Sequence, residues 1–223
     1  MILSSRPGDI EIVQFGNTKS LTGLARRFSC VGRSIIVWAI LATASSPAEE
    51  TGEHWHLLPE PKFMAPEIAW PVSGSRSTIL LPVRGSEPSP LTLKGTADPN
   101  LSVSEIWKEA ARSATRLLDT LPVEYVRNSR KVILYAVITS PDPLTASSVL
   151  APDFAERFLE TIGPDVLVAI PNRFTVYVFP RSATPVEELS ERIFVDYRST
   201  NYPVSREIFE PRGGRLRAVG ELR

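Results

Sequence analysis

The chain has 223 residues, and its 25 lysines and arginines are balanced by 25 aspartates and glutamates, so the formal net charge is zero. A balanced charge provides no long-range field that would attract nucleic acid or an anionic membrane surface. We therefore expect no nucleic-acid partner for this chain.

Residues 26–44 have the organisation of a secretory signal peptide, with a basic flank, the apolar run Ile35–Ala44 and an exit of small residues. The apolar run is about half the ~20 residues that a membrane-spanning helix needs, which favours cleavage over a permanent span. Cleavage after Ala44 and cleavage after Ala48 both fit the pattern. The alternative interpretation is a buried strand or short helix inside a cytoplasmic domain.

Residues 1–25 precede the basic flank, whereas a signal peptide normally starts within a few residues of the initiator. We interpret them as an upstream extension outside the native product, with translation starting near Leu24. Cleavage would also remove Cys30, the single cysteine. The exported form would then be slightly acidic and without disulfides, thiol catalysis or thiolate metal sites.

Residues 45–73 are rich in proline and are predicted to form an extended arm before a domain at 74–223. Apolar residues in the arm indicate that part of it packs on the domain surface. These residues are Trp55, Leu57, Leu58, Phe63, Met64, Ile68 and Trp70.

The domain is predicted to begin with two short strands, Thr78–Val83 and Leu91–Leu93, and Pro82 marks the first as an edge strand. A helix follows from Ser102, which forms a capping box with Glu105, and ends before Pro122. Its predicted buried face carries Ile106, Ala110, Ala114, Leu117 and Leu121.

The next segment, 131–139, is unbroken and apolar, which predicts a strand covered on both faces. A second helix is predicted over 151–162. Residues 165–179 then form the clearest β-hairpin of the chain, with Asn172 suited to a positive-φ position in its turn.

A third helix is predicted from Thr184, with Pro185 at its first position and a buried face that includes Leu189 and Ile193. Two strands, 204–209 and 215–219, close the chain around a Gly-Gly turn. Helices and strands in this order predict an α+β domain in which about three helices pack on a mainly antiparallel sheet.

The segment from Val132 to Val219 resembles the C-terminal half of the YtpQ-like bacterial family of unknown function. The resemblance lies in the order of elements and in four runs that begin at Ile133, Val166, Tyr202 and Gly214. It implies a fold and no catalytic residue, because the family has no established activity.

Three sets of side chains are candidates for chemical sites. His54 and His56 are spaced so that an extended chain points both imidazoles to one side, as a metal pair requires. Two carboxylate pairs sit at i, i+4 on the predicted helices, Glu105 with Glu109 and Glu156 with Glu160. Capping and solvation explain these carboxylates more simply than acid and base catalysis.

Arg212, Arg215 and Arg217 are likewise explained more simply as a solvated edge of the domain. The sequence has no glycine-rich phosphate-binding loop before a helix. We therefore assign no catalytic, cofactor or metal residue and expect no cofactor. The sequence favours an exported, non-catalytic domain that binds a protein or a cell-envelope component through sheet edges and the proline-rich arm. The alternatives are a hydrolase that uses the helix carboxylates and metal binding by the His54 arm.

Overall fold

The computed structural model describes residues 54–64, 68–85, 102–182 and 187–222, which belong to one compact unit. The upstream extension, the signal peptide, the strand at 91–93 and the cap at Thr184 lie outside the described residues. Within them the chain has the predicted α+β class, with helices packed on two antiparallel sheets.

The smaller sheet has three strands, β1 (His54–Pro61), β2 (Trp70–Pro71) and β3 (Thr78–Gly85), in the order β1-β3-β2. Most of the predicted arm that the structure describes is therefore part of a sheet, and seven of the eight residues of β1 are buried. The apolar residues of this segment gain more by pairing with β3 than by lying on the surface.

Strand β3 is the centre of this sheet, so the prediction of an edge strand was wrong. Strand β2 pairs only with Ile79 and Leu80, whereas Pro82 lies opposite Leu57 of β1. At Pro82 the strand has a partner on one side alone, where a missing N–H is tolerated.

Helix α1 (Val103–Thr120) confirms the predicted capping box and ends before Pro122. The Ser102 hydroxyl accepts the amide of Glu105 at 3.3 Å, and the Glu105 carboxylate accepts the amide of Ser102 at 2.8 Å. All five residues of the predicted apolar face are buried. The helix packs on β1 and on the segment 145–150.

The larger sheet has six strands in the order β4-β5-β7-β6-β8-β9. Their ranges are β4 (Val123–Arg127), β5 (Ile133–Thr139), β6 (Val166–Asn172), β7 (Thr175–Pro180), β8 (Glu207–Arg212) and β9 (Arg215–Glu221). Strand β4 was not predicted. It follows α1 directly and is mostly half-buried, so it lacks the apolar run that marks β5.

The predicted helix over 151–162 is mostly absent. A 3₁₀ helix covers Thr145–Leu150, and the α-helical part is the single turn α2 (Phe154–Arg157). The amides of Thr161, Ile162 and Gly163 all donate to the carbonyl of Phe158. The helix therefore ends before these residues, and the chain continues in turns. Two β-branched residues and a glycine give this stretch little helical preference.

The β6–β7 hairpin is confirmed, but the role predicted for Asn172 is wrong. Asn172 is the last residue of β6 and pairs with Thr175. Its side-chain oxygen accepts the amide of Phe174 at 2.9 Å, so it supports the turn without a positive φ. Among the described residues, Lys131 is the non-glycine residue with a positive φ, at 63°.

Both faces of the six-stranded sheet are covered, as predicted for β5. One face packs on the small sheet, α1 and residues 145–158, and alternate residues of β5, β6 and β7 point to it: Ala136, Ile138, Val166, Val168, Ile170, Val176 and Val178. The other face packs under helix α3 (Glu187–Arg198) through Leu189 and Ile193. The alternation follows from the two-residue period of a strand.

Candidate functional site

A groove of about 400 Å³ lies where the small sheet meets the β8–β9 hairpin and helix α1. Its floor is apolar and is formed by Pro71, Val72, Leu80, Trp107 and Leu216. Charged residues from the hairpin border it, namely Glu210, Arg212, Arg215 and Arg217. We call this feature the arginine groove.

The β8–β9 hairpin determines which charges face the groove. Gly213 and Gly214 form its two-residue turn with φ values of 54° and 75°, which side chains other than glycine rarely adopt. The register places Glu210 opposite Arg217 and Arg212 opposite Arg215. One opposite-charge pair and one like-charge pair therefore lie next to each other along the hairpin.

Glu210 is neutralised within the protein. Its carboxylate is 2.5 Å from a guanidinium nitrogen of Arg217 and 2.5 Å from one of Arg181. The hydrogen bond from Arg217 is the main cause that lowers the pKa of Glu210 below its ordinary value. Glu210 is therefore ionised and fully engaged near neutral pH.

Arg212 and Arg215 differ from Arg217 because neither is within ion-pair distance of a carboxylate in the described part of the chain. Both side chains are exposed and line the groove. Like charges directly opposite each other on antiparallel strands destabilise the pair. Glu210 attracts Arg212 from a longer distance, but its carboxylate is already bonded to Arg181 and Arg217, so the like-charge pair has no carboxylate of its own.

Two tryptophans hold Arg215 in place. The rings of Trp70 and Trp107 are stacked, with centroids 5.6 Å apart and an interplanar angle of 19°. The guanidinium carbon of Arg215 lies 5.0 Å from the Trp107 ring centroid, within cation–π range. This contact restricts the position of the guanidinium group in the protein alone.

A buried polar cluster connects the small sheet to β8 close to the groove. The carboxylate of Glu207 accepts hydrogen bonds from the Ser75 hydroxyl at 2.5 Å, the Arg76 amide at 2.8 Å and the Thr78 hydroxyl at 2.9 Å. Burial acts to raise the pKa of Glu207, but these hydrogen bonds together outweigh it and lower the pKa. We call this feature the Glu207 cluster. Its role is structural, because its hydrogen bonds join the small sheet to β8.

A second buried charge, the Glu60–Arg173 pair, joins β1 to the β6–β7 turn. The Arg173 Nε lies 2.5 Å from the Glu60 carboxylate, and both side chains are less than a tenth exposed. Arg173 also lies 4.9 Å from the ring centroid of Tyr202. Burial raises the pKa of Glu60, and the bond to Arg173 opposes this effect.

The histidines suggested as a metal pair lie on β1 and have different surroundings. His54 Nδ1 is 3.5 Å from the Glu109 carboxylate, whereas His56 is buried and its Nδ1 has no hydrogen-bond partner. Burial is the main cause that lowers the pKa of His56 to about 4, so its imidazole is neutral near pH 7. Across the described residues, no group of three or more His, Cys, Asp or Glu side chains converges to hold a metal ion.

The four helix carboxylates have separate environments. Glu105 caps α1, and Glu109 accepts the amide of Trp55 at 3.2 Å. Glu156 and Glu160 are exposed on α2 and in the turns that follow it. None of the four lines the arginine groove.

The groove residues were missed because each looked ordinary in sequence. The arginines were interpreted as a solvated edge, and Trp70, which stacks on the groove residue Trp107, was placed on a surface arm. One signal was available, since an arginine at both ends of a Gly-Gly hairpin turn predicts a like-charge cross-strand pair.

Comparisons with protein-family models, with curated proteins and with solved structures gave no match to this chain. The resemblance to the YtpQ-like family therefore stays a prediction. None of the described helices combines the length and apolar character needed to cross a membrane.

Proposed function

We propose that the chain is an exported, non-catalytic binding domain and that the arginine groove is its binding site. The observation that carries the proposal is the groove itself, a preformed concave surface with an apolar floor and ordered cationic groups beside it. Its volume falls in the range of about 300–1,000 Å³ that is common for ligand pockets.

The elements that form the groove support this proposal. Strand β9 is an edge of the six-stranded sheet, and Pro71, Val72 and Ser73 come from the segment predicted as the proline-rich arm. Binding through a sheet edge together with this segment is what the sequence favours. The only bridge to β9 from outside its sheet in the described region joins Ser73 to Arg217.

The chemistry of the groove favours binding over catalysis. Its titratable groups among the described residues are three arginines and Glu210. Arginine stays protonated in proteins and does not exchange protons near neutral pH. Glu210 is held ionised by two arginines, which leaves it unsuited to act as an acid or a base.

Affinity capture from the envelope of the producing cells tests the proposal. We expect the tagged protein to enrich a specific partner, and Arg215→Ala to lose it. Arg130→Ala is the matched control, because Arg130 is exposed on the β4–β5 turn, which does not line the groove. The same enrichment by wild type and Arg215→Ala would contradict a role for the groove.

Export is tested separately by mass spectrometry of the protein's N-terminus in cell fractions. A form beginning at Ser45 or Glu49 outside the cytoplasm is expected. A cytoplasmic form that begins at Met1 would contradict the proposed export.

A further inference from the structure

We infer that the arginine groove binds a small amphiphilic anion, with its oxyanion head at Arg212 and Arg215 and its apolar body on the groove floor. This inference rests on the proposed function and specifies its ligand class. Carboxylates and phosphates share the chemistry required of the head group.

The first argument is the charge of the hairpin. Arg212 and Arg215 form a directly opposed cross-strand pair, and neither makes an ion pair with a described carboxylate. Glu210 attracts Arg212 only from a longer distance, because its carboxylate is bonded to Arg181 and Arg217. An oxyanion between them would replace a repulsion with two charge-assisted hydrogen-bonding partners. Two positions along the hairpin, Arg217 lies opposite Glu210, so a carboxylate of the protein already neutralises that arginine.

The second argument is the geometry of Arg215. Its guanidinium carbon lies over the Trp107 ring, and none of its N–H groups pairs with a described carboxylate, so these groups remain available to an acceptor. The stack of Trp107 on Trp70 restricts the position of this group. Less side-chain entropy is then lost when an anion binds.

The third argument is the contrast between head and floor. On the floor, Pro71 is exposed and Trp107 is half-buried, and both lie beside the exposed Arg212 and Arg215. A ligand that carried charge throughout would leave this apolar surface uncovered, and an uncharged ligand would leave the arginines unneutralised. An amphiphile with one anionic end satisfies both parts of the groove.

The test is a titration of the purified protein with four six-carbon probes, hexanoate, hexyl phosphate, hexanol and hexylamine. Binding is followed through the indole N–H signals of the tryptophans in NMR spectra. We expect saturable binding of at least one of the two anions, at least about tenfold tighter than hexanol, with the Trp107 signal among those that shift. Hexylamine is expected not to bind, and higher salt to weaken the binding of the anions.

The relative affinity of hexanoate and hexyl phosphate identifies the head group. Tighter binding of hexanoate indicates a carboxylic acid, and tighter binding of hexyl phosphate indicates a phosphate ester. Equal affinities support the shared oxyanion chemistry.

Three variants assign the binding to the proposed residues. Arg212→Ala does not remove the Trp107 contact, and we expect it to weaken binding of the anions about tenfold. Arg215→Lys keeps the charge but loses the planar fork, and we also expect weaker binding. Arg130→Ala removes the same charge on a different hairpin and should bind as the wild type does.

Some outcomes would overturn this inference but not the proposed function. If hexanol binds as tightly as both anions, the groove is a binding site without preference for an anion. If no probe binds while Arg215→Ala still loses its captured partner, the groove binds a ligand of another class. If anions bind equally to wild type and Arg212→Ala, the site lies elsewhere.

Discussion

The Glu207 cluster and the arginine groove both lie where the small sheet meets the β8–β9 hairpin. They differ in whether their charged groups have partners within the protein. Glu207 is buried, and its carboxylate accepts hydrogen bonds from Ser75, Arg76 and Thr78. Arg212 and Arg215 are exposed and form no ion pair with a described carboxylate, and Glu210 attracts Arg212 only from a longer distance. We propose that the buried charge contributes to stability and that the exposed arginine pair serves binding.

The largest loss of stability is expected from the Glu60–Arg173 pair, in which both partners are buried. Replacing Arg173→Met leaves the Glu60 carboxylate in an apolar environment, and about 3–5 kcal/mol should be lost. Urea unfolding at pH 7 measures this free energy. A loss below about 1 kcal/mol would show that water reaches Glu60 readily.

The next largest effect on stability is expected from His56 at low pH, because its buried imidazole is neutral in the folded protein. Its pKa is about 4 in the folded protein and 6.5 in the unfolded chain, so the unfolded chain binds the proton first as pH falls. Stability is complete above pH 6.5 and declines between pH 6.5 and 4, by roughly 2–3 kcal/mol from this residue. His54, Glu109 and Arg116 surround it.

The variant His56→Gln isolates this contribution. Its unfolding free energy should depend less steeply on pH than that of the wild type between pH 6.5 and 4. Parallel pH profiles for the two proteins would show that His56 takes up its proton equally in both states.

The Glu207 cluster should show a smaller loss. In Glu207→Ala the donors from Ser75, Arg76 and Thr78 lose their shared acceptor, at a cost of about 1–3 kcal/mol. Because the pKa of Glu207 is lowered, the wild type loses this contribution as pH falls through the folded-state pKa.

Glu221→Ala is the control for Glu207, since Glu221 is exposed and pairs with Arg206 at the surface. Its unfolding free energy should change by less than about 0.5 kcal/mol. Equal losses in the two variants would remove the distinction between a buried and a surface carboxylate.

The smallest effect on stability is expected at the groove. Arg212→Ala removes one member of a like-charge pair, so we expect a gain of a few tenths of a kcal/mol or no change. Thermal unfolding measures the difference. A loss above about 1 kcal/mol would show that Arg212 has a structural partner.

The sequence predicted those elements whose signals are local. Neighbouring residues predicted the capping box of Ser102 and Glu105, strand β5 covered on both faces, the β6–β7 hairpin and the turn at Gly213, and all are present. The predicted helix over 151–162 is reduced to the single turn Phe154–Arg157, because the chain after Phe158 folds into turns whose amides bond to the Phe158 carbonyl.

The groove could not be assembled from the sequence because its parts are distant along the chain. Trp107 and Arg215 meet only because tertiary packing brings α1 beside the β8–β9 hairpin. The placement of β1 inside a sheet depended likewise on its pairing with β3, whose register no local pattern specifies. Long-range contacts of this kind form the groove and place the predicted arm in the small sheet.

The most direct test of the central distinction measures unfolding free energy and hexanoate or hexyl phosphate affinity on the same preparations of Arg212→Ala and Glu207→Ala. We predict that Arg212→Ala keeps its stability and loses about tenfold in affinity. Glu207→Ala should lose about 1–3 kcal/mol in stability and, where it remains folded, bind as the wild type does. Wild-type affinity of Arg212→Ala for both anions would contradict the account.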